Sequence, residues 1–238
     1  MIEINEFDNN QKIAESTKLI RYIFDNNFTK RQLDMVYAII SLVKPTDDDF
    51  KTYHISYSAI GKIFNPQNPY CEITVNDINL AVKDIMNKSF RIKTDKKTKH
   101  YHYIEYAEVD EEEKYIDFRL SQDVKQFYLK LRKEEYTVFL LDDIMKLSTA
   151  FQLNLFKWLS CNSNFKNDVS ITIDDAKLRF YGDISIRTAD FIRKLDSAIK
   201  KINAKTNLNV SYQRINKKGS KKIVVLRFTI KNMYKREE

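Results

Sequence analysis

The sequence predicts an α+β chain made of two successive units that share one plan: helix, short strand, short helix, longer helix, β-hairpin. Three observations predict it. Apolar residues recur at helical spacing in two well-separated long segments. Each of those segments is followed by strand-like runs rich in β-branched and aromatic residues. The same order of elements appears twice within 238 residues, a length that accommodates two small domains.

In the first half, FTKRQLDMVYAIISLV (28–43) sets Leu33, Val36, Ile40 and Val43 on one helical face, with Thr29 as its N-cap. TYHISY (52–57) predicts a short strand, SAIGKIF (58–64) a short helix, and NPQNP (65–69) a turn. A longer helix is expected over TVNDINLAVKDIMNKSF (74–90), where Val75, Ile78, Val82 and Ile85 form an apolar stripe. The hydroxyl of Thr74 can accept a free first-turn N–H there. Strands are expected over FRIKT (90–94), HYHYIEYAEV (100–109) and YIDFRL (115–120).

In the second half, KLSTAFQLNLFKWLSCN (146–162) predicts a helix rich in large apolar residues, and DVSITI (168–173) a short strand. DDAKLRFYG (174–182) predicts a short helix closed by Gly182. SIRTADFIRKLDSAIKKINAKT (185–206) is a longer helix with the stripe Ile192, Leu195, Ile199 and Ile202. Two strands, NLNVSYQRIN (207–216) and KKIVVLRFTIK (221–231), follow with KKGS between them. HISYSAIGKIF (54–64) parallels VSITIDDAKLRF (169–180), and DINLAVKDIMNKSFRIK (77–93) parallels ADFIRKLDSAIKKINAK (189–205). The shared order suggests an internal duplication of the winged form of the helix-turn-helix. The expected organisation is a flexible arm over 1–14, a first winged-helix domain over 15–133 and a second over 134–238.

Composition bounds the chemistry. With 41 Lys+Arg against 33 Asp+Glu, the formal net charge is +8, which suits a polyanionic partner. Two cysteines, Cys71 and Cys161, form neither a disulfide framework nor a CxxC, so a reducing cytoplasm is expected. The start MIEINEFDNNQ is acidic and polar, unlike a secretory signal, and no apolar run approaches the ~20 residues needed to span a bilayer. No membrane association is expected.

A recognition helix needs one face fixed in the core and the other carrying donors for base edges and phosphates. On 185–206 the candidates off the apolar stripe are Ser185, Arg187, Thr188, Asp190, Arg193, Lys194 and Lys201. On 74–90 the candidates are Asn76, Asn79, Lys83, Asn87 and Lys88, on a helix less basic and further diluted by Asp77 and Asp84; asparagine can pair with adenine through N6 and N7. An isolated basic helix is more often a solvated face; position within a repeated plan argues otherwise. Each long helix is followed by a basic loop at an expected hairpin tip. The first holds Arg91, Lys93, Lys96, Lys97 and Lys99; the second holds Arg214, Lys217, Lys218, Lys221 and Lys222. Wings of this kind grip backbone phosphates and position the protein without reading sequence. EVDEEEK (108–114) is an acidic tip that DNA would repel, so it should face away from a duplex.

The rival reading is enzymatic. His100-Tyr101-His102 matches the His-hydrophobe-His pattern of rolling-circle nucleases, and on a strand both histidines share a face. That chemistry also uses a tyrosine with a lysine four positions later. None of the 14 tyrosines has one; Tyr115 and Tyr128 have Arg119 and Arg132. Three scattered glycines supply no phosphate loop, and neither cysteine has a histidine at metal spacing. Catalysis, metal and cofactor are therefore not expected. A phage or chromosomal repressor, or a module that docks acidic proteins on its basic face, remain alternatives.

Over residues 15–231 the chain resembles the initiator Rep proteins of theta-replicating, iteron-bearing plasmids. The resemblance is carried by FTKRQLDMVYAIISLVKP (28–45), MNKSFRIKT (86–94), YIEYAEVDEEEKYIDFRLS (103–121) and KINAKTNLNVSYQRINKKGSKKIVVLRFTI (201–230). It implies two winged-helix domains that bind tandem origin repeats as a monomer. It also implies a homodimer, formed mainly through the first domain, that represses its own gene. A host initiator, a helicase and chaperones are the further partners it implies.

Overall fold

The computed structural model describes residues 2–26, 28–44, 46–65, 68, 73–93, 96–132 and 136–233. The expected turn at 65–69 and Cys71 lie largely or wholly outside them. Twelve strands and eight α-helices are found among the described residues.

The chain begins with β1 (Ile2–Ile4) and β2 (Lys12–Ser16), then α1 (Thr17–Tyr22) and β3 (Ile23–Asn26). The first long helix is α2 (Lys30–Ser41), and its start is set locally. Thr29 accepts from the Gln32 N–H while the Gln32 side chain accepts from the Thr29 N–H at 2.9 Å. β4 (Tyr53–Ser56) runs into α3 (Tyr57–Phe64), capped by Ser56. α4 (Val75–Met86) opens with a second such box, Thr74 with Asp77, and buries Ile78, Val82 and Ile85. It stops short of the expected residue 90 because Phe90 enters β5 (Phe90–Lys93).

The expected single strand over 100–109 is two strands in different sheets. β6 (Thr98–Tyr101) pairs with β5, whereas β7 (Ile104–Asp110) pairs with β8 (Tyr115–Leu120). The strand breaks between Tyr101 and Ile104, where the buried Tyr103 turns its ring onto Phe90 and Phe28, with centroids at 4.5 and 5.5 Å. Tyr101 also stacks on Phe90, at 5.4 Å.

After a 3-10 helix over Gln122–Phe127 come β9 (Tyr136–Leu140), α5 (Leu141–Met145) and α6 (Ala150–Ser163). β10 (Asp168–Thr172) leads into α7 (Ile173–Tyr181), which Thr172 caps and Gly182 closes. Gly182 has φ 86°, a left-handed conformation that glycine adopts at little cost. α8 (Thr188–Lys205) and the hairpin of β11 (Leu208–Asn216) and β12 (Ile223–Asn232) complete the second unit. Edge-to-face aromatic pairs hold it together: Trp158 against Phe180 and Phe228, at 5.5 and 5.7 Å, and Phe151 against Phe191, at 5.8 Å.

The repeated order of elements does not give repeated sheets. In the second unit the short strand joins the wing, in the order β10-β12-β11. In the first, β4 joins the later hairpin in β1-β4-β8-β7, and β3 completes the wing sheet as β3-β5-β6.

One expectation about organisation is corrected. The arm over 1–14 is not loose. Ile2–Ile4 pair in parallel with Tyr53–Ile55, and Lys12–Ser16 pair antiparallel with Tyr136–Leu140. Ladder hydrogen bonds satisfy backbone groups that a free arm would leave to water. The same pairing crosses the expected domain division. The proposed division at 133/134 falls in 133–135, outside the described residues, but β9 just beyond it is bonded to β2 of the first unit. Arg179 on α7 ties the units further, donating to the Ile20 and Arg21 carbonyls at the end of α1, at 3.1 and 2.5 Å. No described helix is long and apolar enough to cross a membrane.

Candidate nucleic-acid interface

In the second unit, α7 and α8 are joined by residues 182–187, and α8 packs on α6 and β11 with Phe191, Ile192, Leu195, Ala198, Ile199 and Ile202 buried. That packing fixes which residues face outward. Ser185 and Arg187, expected in the helix, precede it. Ser185 sits in the turn, its hydroxyl donating to Asp183 at 2.6 Å, and Arg187 is the N-cap residue. The helix cannot start earlier because Asp183 captures both the hydroxyl and the backbone N–H of Ser185.

Arg187, Asp190 and Arg193 form one cluster at the amino end of α8. The Arg187 Nε lies 2.6 Å from Asp190 Oδ2, and Arg193 bonds the other carboxylate oxygen. Those two bonds hold the Asp190 carboxyl below its usual range. The arginine side chains are 82% and 77% exposed, so their outer N–H groups point into solvent while Asp190 fixes their planes. Two forked donors held this way match guanine O6 and N7. Thr188 is half-buried beside them, Lys194 lies over the Tyr181 ring at 5.5 Å, and Lys201 is half-buried further along the helix.

The wing of this unit is the β11–β12 hairpin. Lys217, Lys218, Lys221 and Lys222 are all exposed at its tip. The turn closes through Lys217 N–H to Lys222 O at 2.8 Å, with Gly219 at φ 73°. Arg214 was grouped with these lysines, but the structure separates it. Its Nη2 bonds Asp196 Oδ2 of α8 at 2.9 Å, and its guanidinium lies over the Tyr212 ring at 5.6 Å. Tyr212 donates to the same carboxylate at 2.5 Å. Burial, followed by that bond, pushes the Tyr212 phenol up to about 12. Arg214 is thus a strut between the β11–β12 hairpin and α8. Sequence reasoning missed Asp196 and Tyr212, since a strut between residues 16 and 18 apart has no local signature.

In the first unit, Asn76, Asn79, Lys83 and Asn87 are exposed on the side of α4 opposite its buried stripe. Lys88 is not with them. Its ammonium donates to Gln32 at 2.9 Å and lies 5.9 Å from the centre of the Phe28 ring, so it braces the start of α2. The first wing is the β5–β6 hairpin, in which Lys93 pairs with Thr98. The Lys93 side chain lies outside the described part of the structure; Lys96, Lys97 and Lys99 are exposed. The acidic turn at 111–114 belongs to the β7–β8 hairpin, a different sheet from this wing.

His100 and His102 are exposed on either side of the buried Tyr101. Among the described residues, no three His, Cys, Asp or Glu side chains gather as a metal site. Tyr128 is buried, and Tyr115 stacks on His54 and donates to Glu3 and Asn5, each at 3.0 Å.

The fold is similar to the Pi initiator protein crystallised in complex with iteron DNA. The TM-score is 0.71 at 17% identity, over 94% of this chain and 98% of that one. Two structures of domains 2 and 3 of RctB are similar at 9% and 8% identity, covering 87% and 85% of this chain and 81% and 80% of theirs. Their TM-scores are 0.49 and 0.45. No curated protein matches in sequence. Residues 12–160 match the family "Initiator Replication protein, WH1", and residues 172–230 match "Initiator Rep protein, WH2". With both winged-helix regions matched over most of its length, the chain belongs to the initiator replication protein family.

Proposed function

We propose that this initiator binds tandem repeats at a plasmid origin, with α4 and α8 in successive major grooves and both wings on phosphates. The observation that carries this is the Arg187–Asp190–Arg193 cluster, exposed at the start of a helix whose other face is locked in the core. The Pi initiator, similar in fold along nearly the whole chain, was crystallised on iteron DNA. Modules one helical turn apart on the duplex would cover roughly 20 bp. Occupying several repeats strains an adjacent AT-rich segment and helps open it, where a host initiator and helicase are then recruited. The monomer binds the repeats, and a homodimer represses the gene. The protein positions DNA and catalyses no reaction.

The test is binding of the full chain to the DNA flanking its gene, read by footprinting and anisotropy. Protection of each tandem repeat is the expected result, and Arg187→Ala or Arg193→Ala should each weaken binding by about 1–3 kcal/mol. Protection of a single palindrome instead would identify a repressor. Metal-dependent nicking of single-stranded origin DNA, lost on changing His100 and His102, would identify a nuclease.

A further inference from the structure

One residue on the outward strip of α4 differs in chemistry from its neighbours. Leu80 is 57% exposed. On 3.6-residue winding it lies opposite Ile78, Val82 and Ile85, the residues α4 buries. Spacings of four, seven and eleven place Asn76, Leu80, Lys83 and Asn87 on one line along the helix, with Asn79 beside it. Asp77 and Asp84 fall to one flank, and Asp77 is engaged in the cap with Thr74.

A single exposed leucine is ordinary on a protein surface. This one has Asn76 and Lys83 one turn away on either side, groups that bond base edges and phosphates, with Asp77 and Asp84 on its other flank. The major groove has one apolar feature among its donors and acceptors, the 5-methyl group of thymine. An apolar side chain one turn from an asparagine therefore matches an A·T pair twice, with a carboxamide for adenine N6 and N7 and a hydrocarbon for the thymine methyl.

We propose that Leu80 is a specificity-determining residue that packs on a thymine 5-methyl group while Asn76 or Asn79 pairs with adenine, so that α4 selects A·T pairs. This rests on the reading of α4 as a helix that enters the major groove. It divides the repeat between the domains, A·T pairs under α4 and guanines under the arginines of α8.

The test uses the full chain on a duplex site selected from a random-sequence pool, with each thymine replaced in turn by deoxyuridine, which lacks only the methyl group. Wild type should lose about fourfold in affinity at one or two positions, the ~0.8 kcal/mol of one buried methyl group. Leu80→Ala should show no loss at those positions. Equal deoxyuridine losses in both proteins at every thymine would overturn the proposal. Asn79→Ala and Lys83→Ala separate it from the reading beneath it. If they weaken binding and Leu80→Ala does not, α4 enters the groove but Leu80 reads nothing there. If none of the three weakens binding, the groove reading of α4 falls, and Leu80 belongs to a surface for another partner. Alanine is at least as good a helix former at this exposed site. An unchanged thermal midpoint for Leu80→Ala will therefore separate lost binding from lost folding.

Discussion

The Nζ of Lys157 on α6 lies 2.7 Å from Oε1 of Glu15 on β2, and the two residues are only 3% and 0% exposed. Tyr37 of α2 completes the group, accepting from Lys157 and donating to Glu15 Oε2 at 3.2 Å. Burial, then the Glu15 charge, holds the Tyr37 phenol well above its ordinary value, so it stays a donor. The three residues come from elements far apart in the chain and fasten α6 to the strand that pairs with β9. Removing one partner strands a buried charge. Lys157→Met alone should cost about 3–5 kcal/mol of stability, read from the denaturation midpoint. The double change Glu15→Leu with Lys157→Met should recover most of that loss. If the single and double variants are equally unstable, the pair is not the source.

The cluster on α8 predicts a split between affinity and discrimination. Asp190→Ala removes a negative charge facing the phosphates and releases both arginines. Affinity for random duplex should rise, while the ratio of specific to random affinity should fall about tenfold, within the range set by one bidentate base contact. Competition titrations at fixed salt measure both. An unchanged ratio would show that Asp190 does not position the arginines.

The second wing predicts a difference between its tip and its base. Lys217 and Lys218 changed together to alanine should reduce the slope of log affinity against log salt by up to about 1.8. Arg214→Ala should leave the slope nearly unaltered, because its guanidinium already bonds Asp196 and Tyr212. A slope loss from Arg214→Ala equal to that of one tip lysine would place Arg214 on a phosphate instead.

Asp143 on α5 gives a pH dependence of known sign. Burial, with Asp142 nearby, raises its carboxyl to about 6, against the opposing pull of Lys146 and the Asn207 N–H. The folded state therefore holds this proton more tightly than the unfolded chain, whose value is near 3.8. The contribution is fully present below the unfolded value and is lost as pH rises through about 6. Asp143→Asn should raise stability at pH 7.5, by at most about 3 kcal/mol. It should also flatten the stability profile between about pH 4 and 6. Urea titrations across that range, with parallel profiles for the two proteins, would refute the assignment.

Most of the helical framework was legible because helices are specified locally. Thr29, Thr74 and Gly182 mark ends that the structure confirms, and the stripes on α4 and α8 face inward as their spacing implies. The exposed lysines of the second wing were legible for the same reason, as a two-strand hairpin with a glycine turn is a short-range object. The intramolecular partners of Ser185, Lys88 and Arg214 were not legible, because each lies off the residue's own periodic face: Asp183, Gln32 and Asp196.

The sequence by itself determined two helix-turn-helix units, their longer amphipathic helices and their basic hairpins, since caps, periodicity and turns act over a few residues. Only the tertiary structure decided which strands meet. The same short strand joins the wing in one unit and a different hairpin in the other, and β2 pairs with β9 across most of the first unit. It also decided the Glu15–Lys157 pair, whose partners are 142 residues apart. Such choices depend on long-range burial and on which backbone groups can be satisfied at once, and no window along the chain contains that information.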